Sequence, residues 1–319
     1  MDHSLLERGL AVISACRHTT GDIWEAHFGA AAIAAYYFVR DNGISGSLAE
    51  TIEAQAHRMV AGHLKDGQDG SSRRDGASCE MKLQFAEQMI VEALDETIDE
   101  LQWVGHNVIY AALSLKAMRE LGGWGTEAEV GGIADLIRAF KGKIPGRSWI
   151  GFTASEVKRL PVEALRAAKP VENGRELSKL VLRELAAFRT IYRAEAHHDL
   201  IGHMLTFSHS LALLDELGCK RLFDRGLTPL FKLIAVLRTT RDLAPGDPIR
   251  LVSPVDSAPL APASPSPWLP TEPAYWERDR TQDDWDFGHA FKFPFSFYAH
   301  VNSAGGADEA ACRNFRLIL

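Results

Sequence analysis

Apolar and polar positions recur with the 3.6-residue period of amphipathic helices along almost the whole chain, and the alternation of a half-buried strand is hard to find. MDHSLLERGLAVISACRH, at the start, reads as an amphipathic helix. A Glu and an Arg interrupt its apolar stretch and no small-residue cleavage site follows, so a signal peptide is not expected. Asp22 and Glu25 have capping-box spacing and predict a helix running to Asn42-Gly43, with another over 44–63. LKDGQDGSSRRDGAS (64–78) is a polar, glycine-rich loop. Helical periodicity returns over 80–121 with a joint at Gly105, then over 126–141 and 154–168, and the turn-like GKIPGRSW separates those two. A second long helical stretch is predicted from Arg175 to Leu217 and a further helix over 220–241.

Two features break this regularity. Nine of the fourteen prolines fall between Pro245 and Pro273, which excludes regular helix and predicts a wrapping segment, an active-site lid or a plain surface connector over about 243–284. The two long stretches also look like copies. At an offset of 97 residues, Lys82, Leu83, Glu87, Gly105 and His106 match Lys179, Leu180, Glu184, Gly202 and His203. The expected fold is all-α: one domain over 1–319, an array of antiparallel helix pairs around a central site, with the long Pro-rich loop.

Composition narrows the function classes. With 46% apolar and 24% charged residues the chain is neither disordered nor fibrous. It contains no apolar run of eighteen, so no membrane span is expected. A net charge of −7 gives nucleic acid no electrostatic footprint. Four cysteines lie far apart without a CxxC pair, against both a disulfide framework and a zinc-thiolate site. A cytoplasmic protein is expected, and its chemistry is to be sought among its twelve histidines.

Four of these stand at the head of apolar helices: His27 in EAHFGAAAIAAYYF, His106 in VGHNVIYAALSL, His203 in IGHMLTFSHSLALL and His289 in FGHAFKFPFSFYAH. Trp24, Trp103 and Trp285 precede three of them by about a turn, and a glycine directly precedes three. Brought together, four neutral imidazoles would bind iron, zinc, copper or nickel; taken singly, each is an ordinary hydrogen-bonded core residue. Lys292 lies three residues after His289, hence on the same helical face, among apolar and aromatic neighbours. If buried, its amine loses charge and can take up carbon dioxide as a carbamate, an anionic oxygen ligand; otherwise it snorkels to water. His197, His198 and His209 read as structural or supporting. Glu195-xx-His198 and Asp199-xxx-His203 mimic di-iron carboxylate spacing, but no second Glu-xx-His occurs. Neither GxSxG nor a glycine-rich phosphate loop is present.

Taken in order, these segments resemble the questin oxidase family. The matching motifs are His27-Phe-Gly-Ala-Ala-Ala, then HNVIYAALSLKAMRELG followed by ADLIRAFKGKIPG, then His203-Met-Leu-Thr206 before SLALLDEL, and finally His289-Ala290-Phe291-Lys292. The resemblance covers roughly 24–319. Ala26 stands where the family often has Asn, Phe287-Gly288 where acidic residues are common, and Tyr110 where a basic residue is common. The resemblance implies oxidative chemistry on aromatic polyketides such as anthraquinones, in flavin-free, NADPH-dependent Baeyer–Villiger oxidases or in ring-cleaving non-haem iron dioxygenases with four histidines and a carboxylated lysine.

The expectation is therefore an oxygenase binding Fe(2+) through His27, His106, His203, His289 and carboxylated Lys292. It would act with dioxygen on a small aromatic substrate, in a pocket lined by Trp24, Trp103, Tyr110, Phe207, Trp285 and Phe291. A metal-independent NADPH-dependent monooxygenase is the alternative within enzymes, although no GxGxxG fingerprint is present. A non-catalytic helical-repeat binding protein is the alternative of another class.

Overall fold

A computed structural model describes residues 2–64, 81–282 and 287–319 of the chain. Residues 65–78 of the polar loop, and Trp285, lie outside the described residues. The all-α class holds: the described residues form thirteen α-helices and one two-stranded sheet. Among the described residues no helix is long and apolar enough to cross a membrane.

The chain divides into two compact units. Unit 1 comprises residues 1–96, 109–141 and 270–295; unit 2 comprises 97–108, 142–269 and 296–319. In unit 1, α1 (Ser4–Thr20) packs on α2 (Ala26–Asp41) and α6 (Glu127–Arg138), α2 packs on α3 (Gly46–Ala61), and α4 (Leu83–Asp95) packs on α6. The α1–α2 crossing is set by glycine. A Cβ on Gly9 would stand 2.7 Å from the Gly29 carbonyl oxygen, and one on Gly29 would stand 2.5 Å from that of Gly9. The two backbones approach more closely than any side chain allows. Buried Gln55 of α3 secures the returning segment 270–282, donating to the Trp276 carbonyl at 2.8 Å and accepting from the Arg280 amide at 2.9 Å.

The expected capping box at Asp22 does not form. Its carboxylate accepts from the Trp24 amide and the Thr20 hydroxyl, both at 2.9 Å, and Glu25 makes no side-chain cap at the start of α2. The turn before the helix uses Asp22 first. A capping box does open α6, where Thr126 and Glu129 satisfy each other's amides.

In unit 2, α9 (Gly174–Ala186) packs on α10 (Leu200–Glu216) and α13 (Glu309–Arg316), and α10 packs on α11 (Lys220–Arg238). The second long stretch is thus two helices, interrupted over 187–194 and by a π-helical turn at Glu195–Asp199. The first is likewise divided between α4 and α5 (His106–Leu121), wider than a single joint at Gly105. Pro161 separates α7 (Ala154–Lys158) from α8 (Glu163–Ala168), and Gly305-Gly306 lies between α12 (His289–Ala304) and α13.

The proline-rich segment is stitched to unit 2. Its strand β2 (Leu251–Val252) pairs antiparallel with β1 (Trp149–Ile150). Farther along, the Arg193 amide donates to the Ala261 carbonyl at 2.8 Å, Ala263 donates to Ile191 at 2.7 Å, and Ser266 donates to Arg316 at 2.8 Å. Lacking a helical ladder of its own, the segment borrows backbone partners from its neighbours.

Unit 2 also buries polar groups. Glu184 is 3% exposed and receives Arg238 in a two-pronged contact at 2.6 and 2.9 Å, with Arg241 against the same carboxylate. His300 is fully buried. Its Nδ1 lies 2.9 Å from the Ser178 hydroxyl, and its Nε2 lies 3.0 Å from the Leu205 carbonyl.

Two predictions follow from this packing. Gly29→Ala forces the α1–α2 crossing apart and is expected to lower unfolding free energy by about 1–3 kcal/mol in urea titrations. Burial lowers the pKa of His300 to about 4 and that of His197 to about 3, against 6.5 for the free side chain. The unfolded chain therefore binds these protons first as pH falls. Their contribution to stability is complete above about pH 6.5 and is lost below it, by up to about 1.4 kcal/mol per pH unit for each group. Unfolding measured between about pH 7 and about pH 5 should show this loss, with a shallower slope for His300→Gln.

Candidate functional site

Each unit gathers histidines at helix starts, and the chain enters those helices through irregular backbone. In unit 1, His27 occupies the second position of α2 and is 3% exposed. Its Nδ1 lies 2.8 Å from the Trp24 carbonyl and 2.7 Å from the Tyr110 hydroxyl. The Trp24 ring stacks on it at 5.6 Å between centroids, and Phe287 lies at 5.4 Å. His289 opens α12, 6.2 Å from His27 by ring centroids, and stacks on Phe293 at 4.5 Å. Lys292, one turn later, is 4% exposed, so it lies on the buried side of its two readings.

In unit 2, His106 is the first residue of α5 and His203 lies in the first turn of α10. Their Nε2 atoms are 3.3 Å apart. The Nδ1 of His106 makes a short contact with the Trp103 carbonyl, and that of His203 lies 2.8 Å from the Asp199 carbonyl. A carboxylate oxygen of Asp199 stands 3.3 Å from the same His203 nitrogen. Backbone carbonyls and carboxylates on the far nitrogen are the partners that orient metal-binding imidazoles and make them better donors.

The backbone before these helices is strained. Among the described residues, the non-glycine residues with left-handed φ are Trp103 (39°), Val104 (51°) and Phe287 (45°), directly preceding the glycines ahead of His106 and His289. Such conformations cost about 1–3 kcal/mol each and persist where surrounding contacts over-determine them. Here the Trp103 and Val104 amides donate to the Ile144 and Pro145 carbonyls, both at 2.8 Å. Gly105 is required as well: at φ 94° it lies against Phe207, whose ring a Cβ would strike at 2.3 Å.

The expected pocket residues divide by burial. Phe207 and Phe291 are wholly interior, the latter 5.2 Å from Trp276 by ring centroids, and Tyr110 is enclosed beside His27. Trp24 and Trp103 are half-buried and keep part of their faces accessible. Of the supporting histidines, His197 accepts from the Tyr192 amide at Nδ1 and meets the Thr240 hydroxyl at Nε2, so both its nitrogens are committed to the fold. His198 Nδ1 lies 2.8 Å from the Ala194 carbonyl, and His209 meets the Ser296 hydroxyl at 3.1 Å.

Sequence reasoning treated Asp199 as a stray pattern and Tyr110 as a pocket wall. The i, i+4 spacing of Asp199 and His203 was the available signal for the first contact. The second joins residues 83 positions apart and left none.

The π-helical turn that delivers Asp199 and His203 is braced from the proline-rich segment. The Asp256 carboxylate accepts from the amides of Glu195 and Ala196, both at 2.9 Å, and Arg147 clamps the Glu195 carboxylate. Asp256→Ala leaves both amides without this acceptor and is expected to cost about 2 kcal/mol in urea unfolding, while Asp256→Asn costs less. Comparison of the chain with protein-family models, with curated proteins and with solved structures gave no match.

Proposed function

We propose that the protein is a non-haem iron-dependent oxygenase acting with dioxygen on an aromatic, polyketide-like substrate. The observation that carries this reading is the pair His106–His203. Each Nδ1 lies against a backbone carbonyl, which only accepts, so each Nδ1 is assigned the hydrogen and each Nε2 an electron pair. Those two electron pairs face each other at 3.3 Å. They repel unless a cation joins them. With metal–nitrogen bonds of about 2.0–2.1 Å, two imidazole nitrogens on one ion stand about 2.9–3.4 Å apart for angles from right to tetrahedral. The separation of this donor pair suits two ligands on one divalent metal.

Imidazole accepts several such metals. The resemblance of the four histidine motifs to questin oxidases is what selects iron and the aromatic substrate. His27, His289 and Lys292 are the remaining donors of this reading, with Lys292 as its carbamate supplying negative charge that neutral imidazoles lack. Iron held by these groups supplies the one-electron chemistry by which dioxygen reacts with an electron-rich ring, cleaving a carbon–carbon bond or inserting oxygen beside a carbonyl. The chain's own residues hold the imidazoles in one tautomer, and Trp24 and Trp103 offer faces on which a planar ring stacks.

Metal analysis of freshly purified protein tests the proposal. Near-stoichiometric iron is expected, lost in His106→Ala and His203→Ala, with affinity reduced about 10–100-fold in Asp199→Asn. Folded protein that carries no transition metal yet oxygenates an aromatic substrate would refute it, and a requirement for NADPH under those conditions would point to the metal-independent alternative.

A further inference from the structure

The Nδ1 of His27 lies between two oxygens, the Trp24 carbonyl at 2.8 Å and the Tyr110 hydroxyl at 2.7 Å. These contacts are not equivalent. A carbonyl oxygen only accepts, so an electron pair on Nδ1 would be repelled by it, and the hydrogen belongs on Nδ1. A phenol oxygen facing that N–H accepts as well, leaving its own hydrogen for another acceptor. The Ile23 carbonyl lies 3.4 Å from the same phenol oxygen. The three groups form a relay in which the imidazole N–H meets the phenol and the phenol O–H turns toward backbone. Tyr110 is completely buried, and its phenol O–H stands within reach of both groups.

Ring geometry completes the restraint. The phenol and imidazole planes meet at 80° with centroids 5.8 Å apart, while Trp24 stacks on the imidazole at 29°. The imidazole is held by a face and by an edge, so its rotation and its tautomer are fixed together.

We propose that Tyr110 is a positioning residue for His27, holding the imidazole in place as a second acceptor on the Nδ1–H that the Trp24 carbonyl sets. The purpose of this hold rests on His27 being a metal donor; the hold itself does not. A second acceptor on the N–H also pushes electron density toward Nε2 and makes it a stronger donor.

Nitrogen-15 NMR of the full-length, metal-stripped protein tests this, with His27 assigned by comparison with His27→Gln. The wild type is expected to show one His27 tautomer, protonated at Nδ1. Tyr110→Phe keeps the ring and loses the hydroxyl. With the Trp24 carbonyl still holding the hydrogen on Nδ1, loss of the second acceptor should move the His27 ring-nitrogen shifts and weaken subsequent iron(II) binding about 10–100-fold. Unchanged His27 shifts in Tyr110→Phe overturn the proposal. So does a wild-type spectrum with the hydrogen on Nε2, a measurement that stands even if the variant does not fold. If the wild type shows the expected tautomer but takes up no iron, the positioning role survives and the iron reading falls.

Discussion

A hydrogen bond from imidazole Nδ1 to a backbone carbonyl about one turn upstream underlies the arrangement of three of the four helix-head histidines. To offer that carbonyl, the chain ahead of each histidine must curl back before the helix proper begins. The detours differ: a turn at 24–25, a 3₁₀ turn at Trp103–Gly105 and a π-helical turn at Glu195–Asp199. The 3₁₀ turn is the strained one of the three. The left-handed backbone at Trp103 and Val104 persists because Ile144 and Pro145 accept the exposed amides, and because Gly105 admits the Phe207 ring.

The buried histidines consequently form two chemical kinds. His197 and His300 have protein partners at both nitrogens, and burial holds them neutral far below their free pKa. They behave as uncharged polar core. His106 and His203 place Nδ1 against a backbone carbonyl and turn their Nε2 atoms toward each other at 3.3 Å. Burial alone does not separate these kinds, since all four are almost fully enclosed. Orientation does.

Helix existence and the all-α class were legible because a 3.6-residue period is written into every amphipathic segment. The breaks were less so. Gly105 marked one joint, yet the interruption over 187–199 carries no glycine or proline and arises from tertiary bonds to the proline-rich segment. Asp22 and Glu25 had capping spacing, but Asp22 was claimed by the turn before it. Within the candidate site, the helix-head histidines and the apolar setting of Lys292 could be read from neighbouring residues. The pairing of Tyr110 with His27 could not, because it depends on how α5 lies beside α2 in unit 1.

The brace on the π-helical turn has a consequence for the growing chain. Asp256 follows Glu195 by 61 residues, so during synthesis the helix bearing His203 leaves the ribosome well before the carboxylate that satisfies the amides at its base. At about 5–20 residues per second, that interval lasts several seconds. Through it, water must serve those amides and His203 has no fixed approach to its partner. The π-helical turn therefore gains its acceptor late and from the C-terminal side, when the proline-rich segment emerges.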